Sequence, residues 1–545
     1  MKNKLLICLF AFSAAKAGYA QLNVGTGQLF IQSGAIVSVQ GDVTSSTDIL
    51  GPGKILLNGA VNQNINVSNF NIPNLEINNP ANVTLTGNAK IGSSLLFTNG
   101  KILAGAFNLE LADVATTSGA GVSKFVETGS TGKLLKDITT NLTNYVMPVG
   151  SGTAYSPVQL STTGANTGAI VGVQVKPVAD PNKNSRSTDY LNRYWPITQT
   201  GITGALTAVG QFNDPADVTG NKAVLNGIYY NGTNWSLSGS SLDQLNNLAG
   251  ATITGAGGDL YAMNKFVYGK IKTYLQAPFN AGSGLMDDKL RNASAPTYTP
   301  GTLPASNLLP LLDPYRAAPY AGNFTHVTNT NPEAITSSVL NDQADPTVNI
   351  VDWVFVELRT TVTPGNTVVT TRSALLRRDG SIVDVDGVSP LYFQDVSAGN
   401  YVVTVRHRNH LGLSLNPANT SVALDLPTPS TTVDLTTASA SFLMGTANTN
   451  YFNNGTYNFL YGGNANFNTN TRFNGLNNDK DYILTNVTYG LNGDPAANQN
   501  NVYSPADVNM NRKVSFNGLN NDKDYLLNTV LGTDPAGLKT QVLPN

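Results

Sequence analysis

The amino-acid sequence predicts an all-β protein built from several domains. Its 545 residues are several times the size of an ordinary domain, so one hydrophobic core cannot serve the whole chain. Glycine, asparagine, threonine, serine and valine dominate, and short apolar segments alternate with turn residues. Long runs of Ala, Glu, Leu and Lys, which favour helices, are missing. We therefore expect strands and turns throughout, and little helix.

The charge of the chain argues against two classes of partner. Charged residues make up 12% of the sequence and the formal net charge is −2, so no strong overall field attracts nucleic acid or an anionic membrane. After the N-terminus no segment approaches 18 consecutive apolar residues. We therefore expect no nucleic-acid partner, and no transmembrane helix in the mature chain.

Residues 1–20, MKNKLLICLFAFSAAKAGYA, have the pattern of a secretory signal peptide. Two lysines precede an apolar run, and small residues place the cleavage site after Ala20 or Ala17. The single cysteine, Cys8, lies within this segment. We expect a secreted protein, extracellular or on the outer cell surface, that is stabilised by ordinary burial or by metal and has no disulfides.

Residues 21–115 carry strand-length apolar segments between glycine and asparagine turns, among them AIVSVQGDV, GKILLNG, NVTLTGN and FNLELA. Each segment is too short and too polar on one side to fold alone, whereas successive coils of a parallel β-helix bury each other's Val, Leu and Ile. We therefore predict a right-handed β-helix-like solenoid. The alternative is a meandering β-sandwich, but we expect no two-residue Asn-Gly hairpin to join these strands, except near residues 99–100.

Two longer blocks, residues 116–266 and 267–440, are predicted to be β-sandwich-like domains. An Asn-Gly pair at 231–232 and an Asp-Gly pair at 379–380 each separate two apolar segments, which is a strong hairpin signal. Trp353 lies in the apolar run NIVDWVFVELRT, which is typical of a strand buried on both faces. Both blocks therefore favour antiparallel sheets.

Residues suited to catalysis are few. The histidines are His326, His407 and His410, and no HExxH, CxxC or GxSxG element is present. His407 and His410 would fall on opposite faces of a continuous strand, so they are poorly placed to bind one metal unless the strand ends between them. Asp384 and Asp386 would share a strand face like a glycosidase pair, although pairing with nearby arginines is the simpler explanation. We predict no catalytic residues and no enzyme activity.

One region is similar to a known group of proteins. The segments YLQAPFNAGSGLMDDKLR, LLPLLDPY, VDWVFVELR, RSALLRRDGSIVDVDG and YVVTVRHRNHLG lie between about residues 270 and 415. Together they resemble a module of large exported proteins of the Bacteroidetes, which are associated with type IX secretion and include hemagglutinin-like and adhesin-like members. The resemblance implies an exported or surface protein but no particular activity.

The most specific feature is the decapeptide FNGLNNDKDY, which occurs at residues 473–482 and again, letter for letter, 43 positions later at 516–525. Upstream of each copy, oxygen-bearing side chains recur at every second position. Alternate oxygens in a tight loop, followed by a carboxylate at the start of an apolar helical segment, are the pattern of an EF-hand-type calcium loop. Residues 441–545 therefore resemble a dockerin-like tandem repeat.

We predict weak Ca²⁺ binding by both copies. The candidate ligands lie at equivalent positions: Asn464, Asn466, Asn468, Asn470, Asp479 and Asp481 in the first, and Asp507, Asn509, Asn511, Lys513, Asp522 and Asp524 in the second. Asparagine is frequent in these loops, and an NGLN insertion precedes the closing acid, so we expect affinities of about 10⁻⁴ to 10⁻³ M, with the second loop tighter. The alternative is a pair of Asn-rich turns whose side chains cap their own backbone.

The whole sequence predicts a non-enzymatic cell-surface or extracellular protein for adhesion or surface assembly, with a weak calcium-binding C-terminal module. Surface glycans or other surface proteins are the expected partners. The alternative is a carbohydrate-binding or polysaccharide-degrading secreted protein. A cleaving site would require a groove with converging carboxylates and exposed aromatic side chains.

Overall fold

The computed structural model describes residues 20–184, 187–328, 331–361, 367–397, 399–418, 422–424, 432–488 and 494–544. The predicted signal peptide, with Cys8, lies outside these residues except for Ala20. The protein is all-β, with 41% strand and 7% helix, as the sequence predicts. Among the described residues no helix has the length and apolar character needed to cross a membrane. Two compact units, Met1–Asn264 and Lys265–Asn545, are described in turn.

The first unit begins with a β-solenoid of about six turns, which confirms the solenoid prediction. One parallel ladder contains Leu22–Val24, Val43–Ser45, Gln63–Asn66, Val83–Leu85, Ile102–Leu103, Val126–Glu127 and Val149–Ser151. A second contains Ile36–Val39, Lys54–Leu57, Asn71–Asn78, Ala89–Asn99, Leu109–Leu111 and Leu134–Ile138. Leu29–Phe30 pairs with Ile49–Leu50, and Thr116–Ser118 with Ala89–Asn99.

Alternation of side chains along each strand explains why this segment forms a solenoid. Ile55, Leu75, Ile91 and Leu109 belong to successive strands of the second ladder and are all buried. Because neighbouring side chains of a strand point to opposite faces, each coil contributes an inward apolar row that the next coil covers. The interior is therefore a continuous stack of aliphatic side chains.

A buried glutamine ties three coils of the solenoid together. The Nε2 group of Gln63 donates to the carbonyl oxygens of Val39, at 3.0 Å, and of Gly41. Its Oε1 accepts from the Gly59 amide, at 2.8 Å, and from Asn79 Nδ2, at 2.9 Å. Gln63 is wholly buried, so these bonds replace the water that its amide group loses on folding.

The rest of the first unit is antiparallel. Ala169–Val173, Trp195–Thr200 and Gly257–Asn264 extend the second ladder, and a five-stranded sheet contains Tyr145–Met147, Val158–Thr162, Leu206–Gln211, Leu248–Ile253 and Ser241–Asp243. The hairpin predicted at 231–232 joins Leu225–Tyr230 to Trp235–Ser236. The remaining short elements are the strands Ala154–Tyr155, Tyr190–Leu191 and Val218–Thr219 and the 3₁₀ helix Lys222–Val224.

The second unit is built around a nine-stranded sheet. Its strands are Phe266–Lys272, Ile350–Arg359, Val368–Arg377, Ser381–Val383, Leu391–Gln394, Gly399–His407, His410–Ser414, Val422–Leu424 and Thr432–Asp434. Every residue from Ile350 to Leu358 is buried, so the strand containing Trp353 is covered on both faces, as predicted. The hairpin predicted at 379–380 joins Val368–Arg377 to Ser381–Val383. The sandwich architecture of residues 116–440 stays a prediction.

Short elements complete the second unit. They are the hairpins Phe279–Asn280 with Leu285–Met286 and Phe452–Asn453 with Asn458–Phe459, and the 3₁₀ helices Pro314–Arg316, Ser337–Leu340, Pro346–Val348 and Ala440–Phe442. The C-terminal region adds the strands Asn470–Arg472, Asn498–Asn500, Lys513–Ser515 and Leu538–Thr540, the α-helix Asp479–Thr488, and a helix whose first turn, Asp522–Asp524, continues as the π-helical Tyr525–Val530.

Replacing Gln63 with leucine should destabilise the full-length protein by about 2 to 3 kcal/mol, because the Gly59 amide and the Asn79 side chain lose a buried acceptor. Urea unfolding at pH 7 measures the effect. The matched control is the neighbouring Asn62→Ala, which removes only bonds made at the surface, to Ala81, Asn82 and Thr84, and should change stability by less than about 0.5 kcal/mol. An equal effect of the two substitutions would contradict this account of the solenoid interior.

Candidate metal centre

The two copies of the decapeptide fold alike. Positive φ angles recur at equivalent positions, and the pairs are Phe467 with Met510, Gly475 with Gly518, and Asn477 with Asn520. Left-handed backbone is costly for most residues and is tolerated best by glycine and asparagine, which explains why the NGLNN tract is rich in both. The repeated sequence therefore encodes one repeated loop conformation.

Strand pairing links the two copies of the decapeptide region. Lys513–Ser515, in the second loop, pairs with Asn498–Asn500, whereas Asn470–Arg472, in the first loop, pairs with Leu538–Thr540 near the C-terminus. Thus each loop pairs with the strand that follows the other copy's helix. The apolar side chains of both copies form one buried cluster, which includes Ala465, Ile483, Val487, Val508, Val514, Leu526 and Val530.

The inner acid of each Asp-Lys-Asp tripeptide closes its loop. Oδ1 of Asp522 accepts from the Val508 amide at 2.9 Å, and its Oδ2 accepts from the Ser515 amide at 2.8 Å. Asp479 does the same in the first copy, where it accepts from the amides of Asn466, at 3.3 Å, and Arg472, at 2.9 Å. Both carboxylates are wholly buried, so they face the loop interior.

The outer acids, Asp481 and Asp524, lie in the first turns of their helices and bond to the asparagines that cap them. Oδ1 of Asn521 accepts from the Asp524 amide at 2.8 Å, and Asn521 Nδ2 donates back to Asp524 Oδ2 at 2.7 Å. Asn478 and Asp481 make the same reciprocal pair, at 2.8 and 2.7 Å. Each asparagine therefore caps its helix and holds the acid with its side-chain amide, and the side chains of Asp481 and Asp524 stay 63% and 48% exposed. Asp481 also lines a surface pocket of about 450 Å³ together with Asn466 and Asn468.

The first positions of the two loops differ in chemistry. The Asp507 carboxylate accepts from the amides of Asn511 and Arg512, both at 2.9 Å. Asn464 donates its Nδ2 to the Asn468 carbonyl oxygen at 2.9 Å, but its Oδ1 is buried and has no hydrogen-bond partner among the described residues. A buried acceptor without a donor is costly, so this oxygen is available to a ligand that the protein itself does not supply.

The middle asparagines bond to their own loop. Nδ2 of Asn509 and Nδ2 of Asn511 both donate to the Asn520 carbonyl oxygen, at 3.0 and 3.1 Å. In the first copy Asn466 and Asn468 donate to the Asn477 carbonyl oxygen in the same way, at 2.8 and 3.4 Å. The backbone amides of Lys513 and Asn470 complete the pattern. They donate to Oδ1 of Asn511 and Oδ1 of Asn468 at 3.0 and 2.7 Å, respectively. The side-chain amide groups of these four asparagines therefore point toward the loop centres.

The buried carboxylates of the loops make no ion pair among the described residues. Burial raises the pKa of Asp479 to about 7 and, against the opposing pull of Arg408, the pKa of Asp507 to about 7. Burial, together with the nearby charge of Asp507, raises the pKa of Asp522 well above its usual value. In the described part of the chain no lysine or arginine lies within ion-pair distance of these three carboxylates.

The ligand chemistry on offer is mainly amide and carbonyl oxygen. Within the described ranges no three His, Cys, Asp or Glu side chains come together as a metal-binding group. The first loop contains one buried acid, Asp479, and the second contains two, Asp507 and Asp522. A cation bound by either loop would therefore rely on asparagine and backbone oxygens for most of its ligands.

Asp384 and Asp386 do not share a strand face, because the strand that precedes them ends at Val383. Asp384 is buried and accepts from Arg372 at 2.9 Å, and the same guanidinium binds Glu333 at 2.7 Å. Asp386 instead caps its own turn. The two carboxylates thus do not form the converging pair that a glycosidase mechanism needs.

His407 and His410 meet because the strand ends between them. Their Nδ1 atoms lie 3.1 Å apart, and both rings are buried. Asp352 lies beneath them, and its carboxylate binds His407 Nε2 at 3.1 Å and Arg408 Nε at 2.9 Å. Burial alone would raise the pKa of Asp352, but Arg408 and His407 outweigh it and lower this pKa to about 2. Asn409, which the sequence does not single out, completes the turn and makes hydrogen bonds to both loops.

Comparison of the chain with protein-family models, with curated proteins and with solved structures finds no match. The fold and the loops define an all-β solenoid protein with a duplicated, oxygen-lined loop pair near its C-terminus. Its interpretation therefore rests on the geometry of the loops.

Lowering the pH should stabilise the metal-free protein. Burial raises the folded-state pKa values of Asp479 and Asp507 to about 7, above the ordinary aspartate value of 3.8, so between these values the folded state binds more protons than the unfolded state. Stability is then greatest at low pH and is lost as the pH rises through about 7. In chelator, we expect the melting temperature of the C-terminal region to be at least about 2 °C higher at pH 6 than at pH 8.

Hydrogen exchange of the helix Asp479–Thr488 reports on this region within the full chain. Asp479→Asn keeps the shape of the side chain without the charge, and it should flatten the pH dependence. A melting temperature that rises from pH 6 to pH 8 in chelator would contradict the assigned direction.

Proposed function

We propose that each C-terminal loop binds one Ca²⁺ ion and that the protein is a non-enzymatic component of the cell surface or extracellular space, serving adhesion or surface assembly. The observation that carries the metal proposal is the unpartnered, buried Oδ1 of Asn464 in the same loop as the buried carboxylate of Asp479, which has no ion-pair partner among the described residues. An oxygen acceptor and a carboxylate without a counterion are together what a cation satisfies.

The residues present suit a hard cation. In the first loop Asn464, Asn466, Asn468 and Asp479 would supply side-chain oxygens. Rotating the middle amides by half a turn replaces their Nδ2 atoms with Oδ1 atoms, which then converge with the Asn477 carbonyl oxygen toward one point. Such a cluster of oxygens without hydrogen-bond donors is stable only around a cation. The corresponding residues of the second loop are Asp507, Asn509, Asn511, Asn520 and Asp522.

Calcium suits this ligand set better than other metals. Zinc prefers histidine and cysteine, which the loops lack, and magnesium demands near-ideal octahedral geometry and keeps several waters. Calcium accepts six to eight oxygens in flexible geometry, including carbonyl and amide oxygens. The second buried carboxylate, Asp507, should make the second loop the tighter site.

Weak affinity fits an extracellular setting. If the dissociation constant is about 10⁻⁴ M and free Ca²⁺ is about 1 mM, each site adds about 1.4 kcal/mol of stability. The signal-peptide pattern and the likeness of residues 270–415 to exported Bacteroidetes modules support export. The solenoid supports a binding role because it presents a long, repetitive surface, on which surface glycans or surface proteins can be held at several points.

Calcium titration of the full mature chain should give two sites per molecule. Asp479→Asn and Asp522→Asn should each remove one site, because each substitution removes the charge of the buried carboxylate that closes its loop. Asp481→Asn and Asp524→Asn are the matched controls from the same tripeptides, and both should leave two sites since these side chains bond to the helix-capping asparagines Asn478 and Asn521. No binding at about 10 mM Ca²⁺, ten times the weakest affinity expected, would refute the metal proposal.

Adhesion and export are tested on cells. We expect the mature chain to begin at Gly18 or Gln21 and to be recovered outside the producing cell or on its surface. Purified protein should bind glycan-coated or cell-coated surfaces more strongly in Ca²⁺ than in chelator, and Asp479→Asn with Asp522→Asn should abolish the difference. Retention of the uncleaved chain inside the cell would contradict the export proposal.

A further inference from the structure

We infer that Asn409 is a positioning residue for both calcium loops, and that the turn formed by Arg408 and Asn409 holds the first ligand of each loop in place. This inference rests on the proposed calcium sites. Arg408 and Asn409, called here the hairpin tip, connect the strands Gly399–His407 and His410–Ser414 of the nine-stranded sheet.

One residue bonds to the backbone of both loops. Nδ2 of Asn409 donates to the Asp507 carbonyl oxygen at 2.8 Å, and the Asn409 carbonyl oxygen accepts from the Asn464 amide at 3.1 Å. Asn464 and Asp507 are equivalent residues, 43 positions apart, and each supplies the first oxygen of its loop. Asn409 is wholly buried, so water cannot replace either bond.

The tip lies deep within the repeat region. The Arg408 guanidinium donates to the Ser504 carbonyl oxygen and lies over the Tyr503 ring, 4.4 Å from its centroid. Leu411 donates its amide to the Tyr461 carbonyl oxygen at 2.8 Å and belongs to the apolar cluster of the repeats, although it lies on a strand of the sheet. The tip is therefore fixed from both sides.

Asn409 acts on the loops without being a ligand itself. Its Oδ1 is engaged by His410 Nδ1 at 2.8 Å, and its Nδ2 is a donor that cannot bind a cation. Its role is to set where Asn464 and Asp507 stand relative to the closing acids Asp479 and Asp522. Because Asn409 bonds to the first residue of each loop, cation binding to the loops and formation of these two hydrogen bonds stabilise each other.

A positioning residue and a ligand leave different signatures. Loss of a ligand removes a site, whereas loss of Asn409 should leave two sites of lower affinity. The contact to Asp507 uses the side chain, and the contact to Asn464 uses the backbone, which every substitution retains. Asn409→Ala should therefore weaken the second site more than the first.

The test measures calcium affinity in the full mature chain, one site at a time. In an Asp479→Asn background, which retains the second site, Asn409→Ala should weaken binding about tenfold, as expected for one lost buried hydrogen bond. In an Asp522→Asn background, which retains the first site, the loss should be about threefold or less. Asn409→Ser, whose hydroxyl is a shorter donor, provides an intermediate case and a second variant should the alanine protein fold poorly.

Thr404→Val is the matched structural control. It removes a buried 2.7 Å hydrogen bond to Ser414 between the same two strands, away from the tip, so it should lower stability without changing either affinity. Unchanged affinities in the Asn409 variants, with normal binding by the unsubstituted chain, would overturn the positioning role and leave the calcium sites standing. Absence of binding by the unsubstituted chain would overturn both.

Discussion

The buried ion pair between Asp352 and Arg408 is the interaction on which the C-terminal half depends. Taking both charges out of water costs several kcal/mol per ion, and most of the pair's remaining polar atoms offset this cost with hydrogen bonds, the exception among the described residues being Arg408 Nη2. His407 Nε2 lies 3.1 Å from the same carboxylate, and the Tyr503 hydroxyl donates to its other oxygen at 2.7 Å. Removal of either Asp352 or Arg408 would leave an uncompensated buried charge, so we expect substitution of either residue alone to be strongly destabilising. It fixes the direction in which the hairpin tip leaves the sheet.

The repeats are built onto the sheet. The side chain of Arg512, which follows the oxygen-bearing positions of the second loop, donates to the carbonyl oxygens of Lys289 and Leu290 at 2.7 and 3.1 Å. Met510, from the same loop, belongs to the large apolar cluster that contains Trp353. Contacts of this kind mean that the loop conformations are set partly by residues more than 200 positions upstream. The proposed cation binding would thus be coupled to the sheet through packed side chains, and an excised repeat region would lose these contacts.

Local chemistry made much of this architecture predictable. Glycine at 232 and 380 marks hairpins because those turns need positive φ, and both hairpins are present. The alternation of aliphatic residues predicted the solenoid, whose interior repeats at the scale of one coil. The repeated decapeptide predicted a repeated loop, since identical ten-residue segments meet the same local constraints. These features depend on neighbours within a few residues, or on the next coil.

Other features depend on distant partners and could not be predicted in this way. An Asp-Lys-Asp tripeptide does not reveal which acid turns inward, because that is decided by the amides of residues 508 and 515 and by the cap at Asn521. The meeting of His407 and His410 depends on where a strand ends, which side-chain periodicity does not specify. Asn409 bonds to residues 55 and 98 positions away, and strand exchange joins each loop to the strand that follows the other helix.

The abundance of asparagine in the loops is explained by the burial of the loop carboxylates. Three carboxylates are already enclosed without an ion pair among the described residues, and burial raises their pKa values, so further negative charge in the loops would be unfavourable. An aspartate at each asparagine position would bind calcium more tightly, but without the ion it would add repulsion inside the loop. Asparagine supplies an oxygen to a cation and, after half a turn of its amide, a donor to the loop backbone when no cation is present. The loops can therefore keep their shape without metal, and the proposed calcium ions would stabilise a fold that is already formed.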